Sequence, residues 1–181
     1  VDARDGSRVW GEQYSRRMAD LLAVQEEIAR QVSDNLQLRL SGDEQRRIAK
    51  RQTDDAEAFQ FYLKGRFYWN KRTEDGLNKG IGYFNQAIER DPTYALAYAG
   101  LADCYAMLTE YGSKPTSETY PKVKAAAERA LAIDDSLAEA HTSLATFKLF
   151  YEHDWEGSER EFRRAIALNP NYAFAHDQFC L

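Results

Sequence analysis

Apolar residues recur along most of the chain at the three-and-four spacing of amphipathic helices, and the stretches carrying that spacing come in pairs. Tyr98, Leu101, Ala102 and Tyr105 form one stripe, and Val123, Ala127, Ala130 and Leu131 form its partner. The next pair is His141, Leu144 and Ala145, followed by Trp155, Ser158, Phe162 and Ala165. Gly80, Phe84 and Ala87 close an earlier pair. The first stripe of that pair lies in FYLKGRFYW, where Gly65 and Tyr68 fit but Lys64 stands where Leu is expected, so its register stays open. Small residues at facing positions, Ala102 and Val123, allow two helices to approach closely.

The pairs end alike. YFNQAIERDP closes at Pro92, AAAERALAIDD at Asp135 and EFRRAIALNP at Pro170, 43 and 35 residues apart, and each is followed by a similar restart. A two-helix unit repeating at roughly 34 residues accounts for this if one inter-helix loop is lengthened. Thr109–Pro121 is that loop, with a Gly and two Pro. The closing prolines stop each helix because proline cannot donate the next hydrogen bond. Asp135 replaces proline once and is expected to cap the following helix with its carboxylate.

The first fifty residues follow another pattern. Asp5-Gly6 is a hairpin signal, Trp10, Glu12 and Tyr14 alternate on one strand face, and a helix is predicted over Asp20–Leu40 with Leu21, Val24, Ile28, Val32 and Leu36 in one stripe. Ser41-Gly42-Asp43 stops it, a helical linker covers 42–53, and Thr53-Asp54 is a cap for the next helix. Two strands and one helix are too few for an independent sheet. Residues 1–41 therefore read as the C-terminal fragment of an α/β domain. The chain begins without Met and stops within a helical stripe, which reads as a segment of a longer protein.

The closing and restart segments resemble tetratricopeptide repeats (TPR). The resemblance implies an all-α helix-turn-helix solenoid over 54–181, with repeats at about 54–92, 93–135 and 136–170 and a partial fourth at 171–181. The opening VDARDGSRVWGEQYSRRMADLLAVQEEIARQV is similar to the end of TolB amino-terminal-like domains in bacterial multidomain signalling proteins. That likeness implies a regulatory segment of a larger protein, whose output domain lies elsewhere.

Charge narrows the partners. The net charge is −5, with 10 basic and 9 acidic residues up to Thr53 and 14 against 20 after it. An acidic array repels phosphate backbones, which disfavours nucleic acid. The run Arg46–Arg51 reads as a solvated helical face. The chain has no apolar run of membrane-spanning length. A cytoplasmic placement is expected, the alternative being the soluble part of a membrane-anchored bacterial protein.

Candidate chemistry is sparse. Cys104 and Cys180 lack metal spacing, and Cys104 reads as a buried thiol. His141 and His176 share the repeat position of Tyr98 and read as packing residues; His153 sits between Glu152 and Asp154 without further ligands. Gly80 and Gly82 fall in a helix and lack the strand and GK[ST] of a phosphate loop. No catalytic residue, cofactor or metal site is expected, and the segment is read as non-enzymatic.

The TPR resemblance places a peptide-binding groove on Leu96, Ala99, Asp103, Ala106 and Met107, then Glu139, Thr142, Thr146, Leu149 and Phe150. This set is apolar with two acids and no Arg or Lys, which favours an apolar or basic protein segment over an acidic one. The function expected is a protein–protein interaction scaffold, with self-association through the array end as a further possibility. The alternatives are a structural spacer or oligomerisation module whose groove is filled internally, and a sensor binding a small molecule between the two parts.

Overall fold

The structure, a computed structural model, describes residues 27–28, 53–111 and 114–180. The expected strand pair, most of the Asp20–Leu40 helix and the 42–52 linker lie outside the described residues. Glu27 and Ile28 are helical, and the described residues contain no strand. The chain divides into two compact units, Val1–Ala56 and Glu57–Leu181. In the first, Thr53 Oγ1 accepts from the Asp55 N–H at 3.1 Å, just ahead of a helix start.

Seven helices carry the array: α1 Ala56–Trp69, α2 Glu74–Arg90, α3 Ala95–Glu110, α4 Thr116–Ile133, α5 Ala138–Phe147, α6 Trp155–Leu168 and α7 Ala173–Phe179. A π-helical turn, Lys148–Glu152, extends α5. Within the second unit α3 packs on α4, α5 on α6, and α3 also lies against α5, so the first helices of successive repeats are neighbours.

Gly65 settles the open register. A Cβ placed there would lie 2.6 Å from the Phe84 ring, and one on Gly100 would lie 2.5 Å from the same ring. Two glycines thus make the slot that Phe84 fills from α2, and Phe84 is fully buried. Lys64, in the Leu position, is exposed and lies over the Phe61 and Tyr83 rings, each at 5.6 Å, so its stem covers apolar surface while its charge stays wet.

The repeat closings share one hydrogen-bond pattern. The N–H of Asp91, Asp134 and Asn169 donates to the carbonyl of Ala87, Ala130 and Ala165 respectively. Each side-chain oxygen then accepts the N–H two residues on, from Thr93, Ser136 and Asn171. These short Asx turns set the entry of the next helix. The expectation for Asp135 is corrected here. Its neighbour Asp134 carries the carboxylate contact, two positions before Ser136, and α5 begins after Leu137 with no side-chain cap.

The second correction concerns the long loop. Helix α3 runs to Glu110 and α4 starts at Thr116, so Pro121 lies inside a helix instead of ending a loop. Pro115 is the N-cap ahead of the first turn, and Pro121, in the second turn, removes the one intrahelical bond its N–H would have made. Longer helices therefore absorb most of the extra length of that repeat. In the next repeat the interval of 35 exceeds the ~34-residue period by one residue, and the π turn holds an extra residue of this kind.

Candidate binding face

The first helix of each repeat supplies the candidate face. Of the predicted residues, Ala99, Asp103, Met107, Thr142 and Thr146 are buried, while Leu96, Ala106, Glu139 and Leu149 are half-buried and Phe150 is 44% exposed. Met107 belongs to an apolar cluster with Trp69, Leu77, Phe84, Cys104 and Leu108. It is a core residue in this conformation. Thr142 and Thr146 turn their hydroxyls back to the carbonyls of Ala138 and Thr142 in their own helix.

Asp103 ties three helices together. Its Oδ2 accepts from Arg66 of α1 at 3.1 Å, and its Oδ1 accepts from the Ser143 hydroxyl of α5 at 2.8 Å. Burial raises the Asp103 carboxyl to about 6, although Arg66 and Ser143 pull it down. Burial also opposes the Arg66 charge, but Asp103, with Tyr62 and Tyr172, raises its pKa overall. The Arg66 guanidinium lies 4.2 Å from the Trp69 ring centroid, and Phe174 from the fourth repeat meets Trp69 edge-on at 6.0 Å. Burial pushes the Tyr172 hydroxyl well above its usual range, and the Asp103 and Glu139 charges add to this. The Trp69 Nε1 and Tyr172 hydroxyl are buried without hydrogen-bond partners.

Arg66, Trp69 and Tyr172 were not among the residues expected here. Arg66 follows Gly65 as Asp103 follows Ala102 and Thr146 follows Ala145. Accepting the Gly65 register would have placed it on the face. It supplies the positive charge missing from the predicted set, already committed to Asp103.

The far end of the face differs. Leu149 and Phe150 lie in the π turn, which ends at His153 with a left-handed backbone, φ 57°. Asp154 then caps α6 by accepting from the Gly157 N–H at 2.9 Å, and that bond lowers its pKa. Phe150, Tyr151 and Trp155 are exposed, Trp155 by 68%. Trp155 was expected on the packing stripe, but as the first residue of α6 it points to solvent. Tyr151 stacks on Tyr120 and Phe147. Phe179 stands 38% exposed against Phe162.

The histidines at the Tyr98 position are structural. Tyr98 donates its hydroxyl to the Pro92 carbonyl at 3.4 Å, His141 Nε2 lies 3.0 Å from the Asp135 carbonyl, and His176 Nε2 lies 2.9 Å from the Pro170 carbonyl. One polar atom per repeat thus grips the residue that closes the repeat before it. Cys104 is a buried free thiol, its pKa raised by burial. Among the described residues, no cluster of His, Cys, Asp and Glu is placed to hold a metal ion. Likewise, no described helix is long and apolar enough to cross a membrane.

No protein-family model matches the sequence. A putative adenylate cyclase 3 from Rhizobium meliloti (strain 1021) is 27% identical over 148 residues, 80% of this chain. The chain spans about a quarter of that protein's length. Among solved structures, the first TPR domain of Spaghetti (RPAP3) bound to the HSP90 peptide SRMEEVD aligns at TM-score 0.55 and 17% identity, over 71% of this chain and 92% of that one. The Arabidopsis OM64 TPR domain aligns at TM-score 0.52 and 18% identity, over 67% and 89%. Together with the recurring closing turns, these likenesses identify the fold as a TPR-like helical repeat array.

Proposed function

We propose that this segment is a non-catalytic protein–protein interaction module of a larger bacterial regulatory protein, with three repeats and part of a fourth following the end of a TolB-like domain. The observation that carries this reading is the apolar surface at one end of the candidate face. Half-buried Leu149 and exposed Phe150 share the π turn with exposed Tyr151, and exposed Trp155 opens α6 four residues further along the chain; exposed aromatic side chains of this kind serve as interface anchors. The similarity to part of a putative adenylate cyclase supports a signalling context. The acidic balance of the array supports an apolar or basic partner over an acidic one.

A spacer is the second reading, favoured by the Arg66–Asp103–Ser143 network and the Trp69–Phe174 contact between the first and fourth repeats. A pull-down with the chain beside a Leu149→Glu, Phe150→Glu variant separates the two. Loss of two apolar anchors weakens a groove-bound partner by more than about tenfold, or about 1.4 kcal/mol. A partner captured equally by both, or by neither, rejects the interaction reading at this face. Met107 is unsuitable for this test because it sits in the core.

A further inference from the structure

Both ring nitrogens of His141 face acceptors. Nδ1 lies 2.7 Å from Glu161 Oε2 on α6, and Nε2 lies 3.0 Å from the Asp135 main-chain oxygen. A carboxylate and a carbonyl can only accept, and a neutral imidazole carries a single N–H. Satisfying both contacts requires both N–H groups. From this geometry we infer that His141 is held as an imidazolium at neutral pH and serves as a pH-sensitive joint fastening α5, α6 and the turn that closes the second repeat.

The surroundings agree with a charged ring. Only 12% of the His141 side chain and 24% of that of Glu161 is exposed. Burial opposes the positive charge, but the Glu161 hydrogen bond and the Asp135 carbonyl outweigh it and raise the pKa. Glu161 is lowered in turn, chiefly by its bond to His141. Arg164, one turn beyond Glu161 on α6, acts against the ring's charge. Among the described residues, Glu161 and Arg164 are the charged groups that act on the ring, with the Asp135 carbonyl the acceptor from the turn.

Deprotonation breaks one side of the joint. A ring that keeps its Nδ1 proton leaves the Asp135 carbonyl without its donor. A ring that keeps its Nε2 proton sets a lone pair against the Glu161 carboxylate. Tyr98 makes the corresponding carbonyl contact one repeat earlier with an uncharged hydroxyl. The two junctions therefore share a role and differ in their dependence on pH.

The test uses the whole chain labelled with nitrogen-15. Ring resonances of the three histidines are assigned by single replacements and titrated. His141 is expected to keep both N–H groups through pH 7, with its midpoint above pH 7 instead of at the ~6.5 of a free imidazole. In Glu161→Gln that midpoint falls by about one pH unit. Hydrogen exchange at the start of α5 then reports the joint: raising the pH from 6.5 to 8.5 lowers protection about threefold more in the unaltered chain than in His141→Tyr, which keeps a donor for the carbonyl. A single ring N–H on His141 at pH 7 overturns the proposal, and so does an equal loss of protection in the two proteins. The titration needs no variant of His141 to fold.

Discussion

Helices α3 and α5 hold the same place in successive repeats, yet their matching residues meet opposite surroundings. Met107 of α3 and Phe150, in the π turn that extends α5, lie at equivalent positions, 43 residues apart. Met107 is fully buried among Trp69, Leu77 and Phe84, while Phe150 stands 44% exposed. Asp103 of α3 is a buried carboxylate serving two neighbouring helices, and its counterpart Thr146 bonds only within its own helix. Repeat register determines which side of a helix a residue occupies. What covers that side depends on the neighbours, and α3 has a complete repeat on each flank.

The largest expected effect tests this contrast directly. Met107→Glu buries an uncompensated charge and destabilises the fold by more than about 4 kcal/mol, while Phe150→Glu changes stability by within about 0.5 kcal/mol. Urea unfolding midpoints measure both, and similar shifts for the two variants would remove the distinction.

Next in size is the glycine slot. Gly100→Ala on α3 drives a methyl group into Phe84 and should destabilise by about 1–3 kcal/mol. Gly82→Ala meets nothing within 4 Å and should stabilise α2 by about 0.5–1 kcal/mol. Opposite signs in thermal unfolding sharpen the contrast between enclosed and open helix faces; equal signs refute it.

The titrating groups give a subtler separation. Asp103, raised to about 6, binds more protons folded than unfolded between about pH 4 and 6, so its contribution lowers stability as pH rises through that window. His141 is also raised, so its contribution is complete below about pH 6.5 and fades as pH climbs through the folded value. Glu161 is lowered and loses its contribution on acidification. Stability measured against pH for Asp103→Asn should therefore lack the fall between pH 4 and 6, and His141→Tyr should lack the one at higher pH. A curve for Asp103→Asn parallel to that of the unaltered chain would show that the carboxyl titrates normally.

The smallest effect lies in the closing turns. Asp134→Ala removes the acceptor of the Ser136 N–H and should cost about 1 kcal/mol, whereas Asp135→Ala leaves that turn intact.

Much of the array was legible because its constraints are local and recur. Phe84, Ala87, Phe162 and Ala165 repeat at fixed intervals and are all buried where their stripes meet neighbours. The paired helices follow from the same spacing. The histidine positions were legible too, since His141 and His176 fall where Tyr98 does. What escaped depended on long-range or compensating structure. Pro121 looked like a loop residue because proline usually ends helices, but here the helix continues through it at the loss of one intrahelical bond. Asp135 looked like the cap because it replaced proline, although the contact falls to the preceding residue in every repeat. On the candidate face, the ten expected residues came from one helix position pattern applied to two repeats. Arg66 and Trp69 come from a repeat whose register Lys64 obscured, and Phe174 reaches Trp69 from 105 residues away.

The π turn at Lys148–Glu152 stores length as helix pitch. Most proteins that gain a residue lengthen a loop, and the side chains around it keep their directions. Here the surplus is wound into the helix itself. Deleting one residue from this turn would restore an ordinary α-helix and rotate the side chains beyond the cut by about 100°. Phe150 and Tyr151 would no longer look the same way, with no change in amino-acid composition beyond the one lost. The surface this repeat offers is in that sense a matter of counting, and an insertion or deletion here would alter it more than most substitutions.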